Sequence, residues 1–181
     1  EFFVDTNEFF ELPTLPQSVA VVGLGVIGLE LGQAMNRLGI ETVGITIGKR
    51  LGGLTDPKIQ DYVAEKLSHE MTLHFEGLEI LGKTSDGKLE IKADEKTYKV
   101  DKMLLSMGRR PNIDKINIEK TGVRLNKKGL PQVNPETLEL VEAPHIFLPG
   151  DVNADRPVLH EASDEGQIAG YNAVHPTQKF Q

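Results

Sequence analysis

The sequence predicts an α/β fold: a parallel sheet with flanking helices and an added antiparallel meander. Three observations predict it. Short β-branched runs alternate with stretches of helical period in the first part of the chain. A cluster of glycines sits where the first strand hands over to the first helix. After Leu78 the pattern changes to short strands separated by turn residues.

The elements follow in order. Glu1 to Glu11 mixes phenylalanines and acids with no clear period. Leu12 to Gln17 holds two prolines, which disfavour helix and suit an entry loop. Ser18 to Val22 reads as a buried strand. Apolar residues then recur at Val26, Ile27, Leu29, Leu31, Ala34, Met35 and Leu38 near helical spacing, and Gly39 closes that helix. Thr42 to Ile47 is a second strand, so the first three elements form a βαβ unit of Rossmann type. Lys49 to Pro57 is a loop, Lys58 to His69 a helix and Met71 to Phe75 a third strand. Leu78–Leu81, Lys88–Ala93 and Lys96–Val100 form the meander, with turns at Asp86-Gly87 and Asp94-Glu95. Lys102 to Met107 is a further apolar strand, stopped by Gly108-Arg-Arg-Pro-Asn112. Asn112 to Pro144 is polar and loop-rich; His145 to Pro149 is a strand, and a last helix runs from about Leu159 to Ala173. The composition shift near Asn112 divides the chain into a body at 12–112 and a tail at 113–181.

Composition excludes several classes. With 39% hydrophobic and 26% charged residues, disorder is not the main state. A net charge of −7 argues against nucleic acid as a partner, because phosphate binding needs a basic surface. No apolar run approaches membrane-spanning length. No basic, apolar leader opens the sequence, and the expected location is cytoplasmic. The chain has no cysteine, which removes disulfides, zinc-thiolate sites and thiol nucleophiles from these 181 residues.

Gly23-Leu24-Gly25-Val26-Ile27-Gly28 fits G-x-G-x-x-G, and its context is a strand before, a helix after and a second strand beyond. Glycine also serves in bare tight turns, but the chemistry of a phosphate loop asks for these three positions. Gly23 permits the sharp turn, Gly25 lets a pyrophosphate approach the backbone, and Gly28 allows the helix to pack on the strand. Free N–H groups at the helix start then face the phosphates. The expected ligand is a nicotinamide dinucleotide. An acid about 20 positions past the glycines normally accepts from the ribose 2′-hydroxyl. Thr46, or Ile47 beside it, holds that place here, and neither is acidic. Lys49 and Arg50 lie just beyond, as partners for a 2′-phosphate or as solvated loop charges, so NAD(H) and NADP(H) both stay open.

Val21-Val-Gly-Leu-Gly-Val-Ile-Gly-Leu-Glu30-Leu-Gly resembles the NAD-domain signature of the FAD-dependent pyridine nucleotide–disulfide oxidoreductases, dihydrolipoamide dehydrogenase-like members above all. Leu104-Leu-Ser-Met-Gly108-Arg109-Arg-Pro111-Asn112 is similar to the family's exit from the NAD domain. His145-Ile-Phe-Leu-Pro-Gly150-Asp151, then Val158-Leu-His160-Glu-Ala162 and Glu165-Gly166, is similar to its second FAD motif. The resemblance implies that Gly23, Gly25, Gly28 and Gly108 contact NAD. It implies that Glu30 pairs with a lysine outside this chain, beside the redox disulfide and flavin. It also implies that Asp151 meets the FAD ribitol and that Pro157, Val158, Leu159 and His160 meet the flavin. Val26, a small aliphatic residue where glutathione-type reductases carry an aromatic, is closer to the lipoamide type.

The same resemblance implies parts that these residues do not include: a first FAD glycine motif, a Cys-x4-Cys pair and a dimerisation domain. The chain is read as an NAD domain followed by the second, partial segment of an FAD domain. The parent is then a homodimer that passes hydride between NAD(H) and FAD, and the segment alone is inactive as a disulfide reductase. An NADH:flavin oxidase of the same two-domain class is the second reading, and a non-enzymatic NAD(H)-binding redox sensor the third.

Other candidates carry less. His175-Pro-Thr177 resembles the family's distal acid–base site, but it directly follows the last helix and no Glu comes within four residues. The five histidines show no metal-ligand spacing. No serine sits in a nucleophile elbow.

Overall fold

The computed structural model describes residues 1–177, 179 and 180. The chain divides into two compact units, Glu1–Gly108 and Arg109–Gln181.

The first unit is built on β1 (Phe3–Val4), α1 (Thr6–Phe10), β2 (Ser18–Val22), α2 (Val26–Arg37), β3 (Glu41–Ile45), α3 (Pro57–Ser68) and β4 (Thr72–His74). The chain continues through β5 (Leu78–Lys83), β6 (Leu89–Ala93) and β7 (Lys96–Val100) to β8 (Lys102–Leu105). Five strands form one sheet in the order β1-β8-β2-β3-β4, and every pairing in it is parallel. Strands β5, β6 and β7 form a separate antiparallel sheet. The α/β fold with an added meander is therefore as the sequence predicts. Two features go beyond that reading. Phe3 and Val4 pair with Met103 and Leu104 as an edge strand, which brings the opening residues into the first unit, where the sequence expectation began at residue 12. The strand after the meander also returns to the middle of the parallel sheet, beside β2.

Why β2 is apolar throughout follows from its two neighbours. Val19 and Val21 face a core with Leu24, Met35, Leu51, Ala64, Leu67 and Leu104, on the side of α2 and α3. Ala20 faces the opposite core with Val43, Ile45, Leu89, Ile91, Val100 and Met103, where the meander packs. A strand covered on both faces has no place for the polar alternation of a half-exposed one. Helix α3 starts sharply because Pro57 occupies its first position and the Asp56 carboxylate accepts from Lys58 N at 2.9 Å and Ile59 N at 3.2 Å.

A part-buried polar triad joins the two sheets. His74, at the end of β4, is 4% exposed. Its Nδ1 lies 2.8 Å from Asp94 Oδ2 and its Nε2 2.7 Å from Tyr98 Oη. A carboxylate only accepts, so Nδ1 carries the proton; in the neutral ring Nε2 accepts from Tyr98. Asp94 also accepts from Glu76 N at 2.9 Å and adopts a left-handed φ of +50°. Burial works against its charge, but the hydrogen bonds from His74 and Glu76 outweigh it and hold the Asp94 carboxyl below its ordinary value.

The second unit holds β9 (Glu139–Leu140), β10 (Ala143–Phe147) and α4 (Leu159–Val174). Strands β9 and β10 pair antiparallel. The stretch from Asn112, loop-rich in sequence, nonetheless supplies Ile113, Ile118, Val123 and Leu130 to a core closed by Leu140, Ala143 and Leu148. The last strand runs earlier than its sequence expectation, ending at Phe147 rather than Pro149.

Two outcomes are expected. Asp56→Ala removes an N-cap and lowers unfolding free energy by about 1 kcal/mol in urea melts. Asp94 has a depressed folded pKa, so the stability it contributes is present above the ordinary carboxylate range near pH 4 and is lost as pH falls through the folded value. Asn tolerates the left-handed backbone. The gap in melting temperature between wild type and Asp94→Asn is therefore wide at pH 6 and narrows steadily toward pH 2.5; a constant gap contradicts the assignment.

Candidate functional site

All strands of the parallel sheet point the same way, so their carboxyl ends gather at one edge. That edge holds the turn after β2, Thr46 after β3, and Ser106 to Gly108 after β8. The chain leaves β2 toward β3 on one side, while β8 flanks β2 on the other. The carboxyl ends of the strands are the usual ligand position in open α/β sheets.

The glycine turn is shaped by close backbone packing. Gly23 has φ +93°, and a Cβ there would stand 2.6 Å from Ser106 O. A Cβ on Gly28 would stand 1.9 Å from Gly23 O and 2.5 Å from Ser106 Oγ. Neither position admits a side chain. Gly25 differs: nothing lies within 4 Å of its added Cβ, which would project into open space in front of the turn. Gly25 is the N-cap of α2 and supplies no side-chain cap.

The turn is tied down by its acceptors and by one donor. Gly23 N donates to Ile45 O at 2.8 Å, and Leu24 O accepts from Gly52 N at 2.8 Å. Gly25 O accepts the first helical bond, from Leu29 N at 3.0 Å. The Ser106 hydroxyl lies 2.6 Å from Gly23 O and 3.1 Å from Val22 O, and donates to the nearer oxygen. By contrast, the N–H groups of Leu24, Gly25, Val26, Ile27 and Gly28 meet no acceptor among the described residues. Gly25 and Val26 are exposed, Ile27 is half-buried, and Leu24 and Gly28 are buried. Unpaired donors at a helix start suit an anion, and the helix dipole adds to the effect. The residues present fit a pyrophosphate: free donors, a Cβ-free approach at Gly25, and no acid in the turn.

The other expected NAD residues are placed as follows. Leu24 is 1% exposed and its side chain belongs to the core. Val26 is exposed and Ile27 half-buried on the first turn of α2. Glu30 lies exposed one turn further on, with no hydrogen bond or ion pair among the described residues. Thr46 is half-buried, its N–H bonded to His74 O at 3.0 Å. Lys49 pairs with Asp61 at 2.8 Å, both well exposed. Gly108 is exposed at φ +102°. Sequence reasoning gave no role at this edge to Ser106 or Met107, and considered Ile47 only as a place for the ribose acid. Ser106 closes the turn, and its signal is its place in the strand that neighbours β2. Ile47 and Met107 are 84% and 70% exposed just past β3 and β8, and with Val26 give the edge an apolar rim.

In the second unit, Asp151 sits in the short helical turn Gly150–Asn153 and is exposed. Arg109 Nη1 donates to Asp151 Oδ2 at 2.7 Å, and Arg109 Nη2 to Pro157 O at 2.8 Å. Pro157, Val158, Leu159 and His160 are exposed at the start of α4, whose N-cap Val158 offers no side-chain acceptor to the first-turn amides. His175 stacks on Tyr171, ring centroids 4.1 Å apart, at the far end of α4 from the Pro157–His160 segment.

A family profile described as pyridine nucleotide-disulphide oxidoreductase matches residues 2–166. The chain belongs to this pyridine nucleotide-disulphide oxidoreductase family. It is 30% identical over 177 residues to a mercuric reductase from Staphylococcus aureus, covering 95% of this chain and 32% of that protein. It is 30% identical over 184 residues to a mitochondrial dihydrolipoyl dehydrogenase from Dictyostelium discoideum, covering 97% and 37%. A water-forming NADH oxidase from Lactobacillus brevis, solved bound to NADH, superposes with a TM-score of 0.77 at 26% identity, covering 96% of this chain and 40% of that one. The chain thus spans about a third of the length of the curated relatives it matches. Among the described residues no helix is long and apolar enough to cross a membrane, and no group of three or more His, Cys, Asp or Glu is placed to hold a metal ion.

The glycines are expected to separate under mutation. Gly28→Ala drives a methyl into backbone and costs about 2 kcal/mol or more, read by urea denaturation. Gly25→Val projects into open space and lowers unfolding free energy by about 1 kcal/mol or less, the loss of the glycine N-cap preference.

Proposed function

We propose that Glu1–Gly108 is the nicotinamide dinucleotide-binding domain, and Arg109–Gln181 the second segment of the FAD domain, of a dihydrolipoamide dehydrogenase-like flavin-dependent oxidoreductase. The observation that carries the reading is the run of five unpaired amides, Leu24 to Gly28, at the carboxyl edge of the sheet. Those amides hold the pyrophosphate, and the open face of Gly25 admits it. Val26, Ile47 and Met107 offer apolar surface to the ring systems of the dinucleotide. Gly108 lies at the same edge, and its lack of a side chain keeps the backbone open toward the nicotinamide half. Thr46 accepts from, or donates to, the adenosine ribose without the charge of the usual acid. NAD(H) is the preferred coenzyme because Lys49 is engaged by Asp61, which leaves the edge without a pair of free cations for a 2′-phosphate.

In the second unit Asp151 receives the ribitol chain, and the first-turn amides of α4 face the flavin ring edge. When bound, the two cofactors supply hydride transfer between nicotinamide and flavin. The chain's own residues bind, orient and neutralise charge. Glu30 stands exposed on α2, where a lysine from another part of the parent protein can pair with it. The parent, in this reading, is a homodimer that supplies the rest of the FAD domain and the disulfide pair.

Isothermal titration of the chain with NADH and NADPH tests the coenzyme reading. The expected outcome is heat with NADH at sub-millimolar to millimolar ligand, weaker heat with NADPH, and at least about tenfold weaker NADH binding by folded Gly25→Val. No heat from either nucleotide at millimolar concentration, or equal binding by the valine variant, refutes it.

A further inference from the structure

The segment from Gly150 to Leu159 has little regular structure to fix it. It comprises one short helical turn, then Ala154 at φ +62°, then a helix entry whose N-cap residue caps nothing. Its anchors are side chains. From one side Glu165 accepts from Gly150 N at 2.6 Å and Asn153 Nδ2 at 2.7 Å, which fastens the base of the turn to α4. From the other side a single guanidinium reaches two acceptors six residues apart, Asp151 Oδ2 and Pro157 O.

Magnitudes decide what that guanidinium is for. The side chains of Arg109 and Asp151 are 56% and 46% exposed, and ion pairs in that setting contribute little to stability. Geometry is where Arg109 has leverage. Its planar fork donates along two fixed directions, so it sets the spacing between the Asp151 carboxylate and the entry to α4. A lysine ammonium is a single point charge on a flexible stem and cannot impose that spacing.

We propose that Arg109 is a positioning residue for FAD. It acts through Asp151 and the Pro157–Val158 backbone, holding the carboxylate and the first-turn amides of α4 at the mutual distance that the ribitol and the flavin edge require. This rests on the reading of Arg109–Gln181 as part of an FAD domain. Arg110, the adjacent residue, is exposed and makes no hydrogen bond or ion pair among the described residues, so it serves as a charge-matched control.

The test uses the full-length flavoprotein that contains this chain. FAD dissociation constants, from equilibrium dialysis, and thermal midpoints of the apoprotein are measured for wild type, Arg109→Ala, Arg109→Lys, Asp151→Asn, Arg109→Ala with Asp151→Asn, and Arg110→Ala. Arg109→Ala is expected to weaken FAD by about tenfold or more, since positioning losses of this kind are felt at the bound cofactor. Arg109→Lys recovers little of it, the double variant binds no worse than Asp151→Asn alone, Arg110→Ala binds as wild type, and the apoprotein midpoints coincide. Wild-type affinity in Arg109→Ala, or effects of Arg109 and Asp151 that simply add, overturns the positioning role while leaving the flavin reading intact. A loss of affinity that tracks a falling apoprotein midpoint also overturns it. A full-length wild type that takes up no FAD overturns both.

Discussion

The close contact between Gly28 and the Gly23 carbonyl is the constraint on which the first unit's site depends. With 1.9 Å between that oxygen and any added Cβ, only a hydrogen fits, and the start of α2 is pressed onto the end of β2. The consequence is electrostatic. The turn's carbonyls at Gly23, Leu24 and Gly25 accept from Ser106, Gly52 and Leu29, while the N–H groups of residues 24 to 28 meet no acceptor among the described residues. Leaving a buried donor without a partner costs about 1–3 kcal/mol, a cost that the exposed positions Gly25 and Val26 escape by meeting water.

Much of this was legible in the sequence because glycine spacing and strand composition report backbone demands directly. Gly23, Gly25 and Gly28 sit where a turn, an open approach and a helix–strand contact need them, and Ser18 to Val22 is apolar because it is covered twice. The order of the remaining elements followed from period and turn residues. What stayed hidden depends on contacts across long separations. Ser106 reaches Gly23 over 83 positions, and Arg109 reaches Asp151 over 42. No local pattern encodes either. Phe3 and Val4 were illegible for another reason: a two-residue edge strand is too short to show alternation. The core of the second unit drew its apolar residues from turns, where spacing has no period.

The two units solve their problems differently. In the proposed reading the first rests its site on the ends of doubly covered strands, with the backbone itself as the recognition element. The second rests on an irregular segment and recruits charged side chains, Arg109 and Glu165, to hold it. Side-chain anchoring of this kind contributes little to folding free energy at half-exposed positions. In the proposed reading it is a means of setting geometry rather than of adding stability.

The most direct measurement of the central claim is a ¹⁵N–¹H correlation spectrum of the chain recorded during titration with NADH. The account predicts that the largest shifts fall on the amides of Leu24 to Gly28, moving together along one binding curve, with smaller shifts at Thr46 and Gly108. Binding that perturbs other amides and leaves residues 24–28 in place would contradict it.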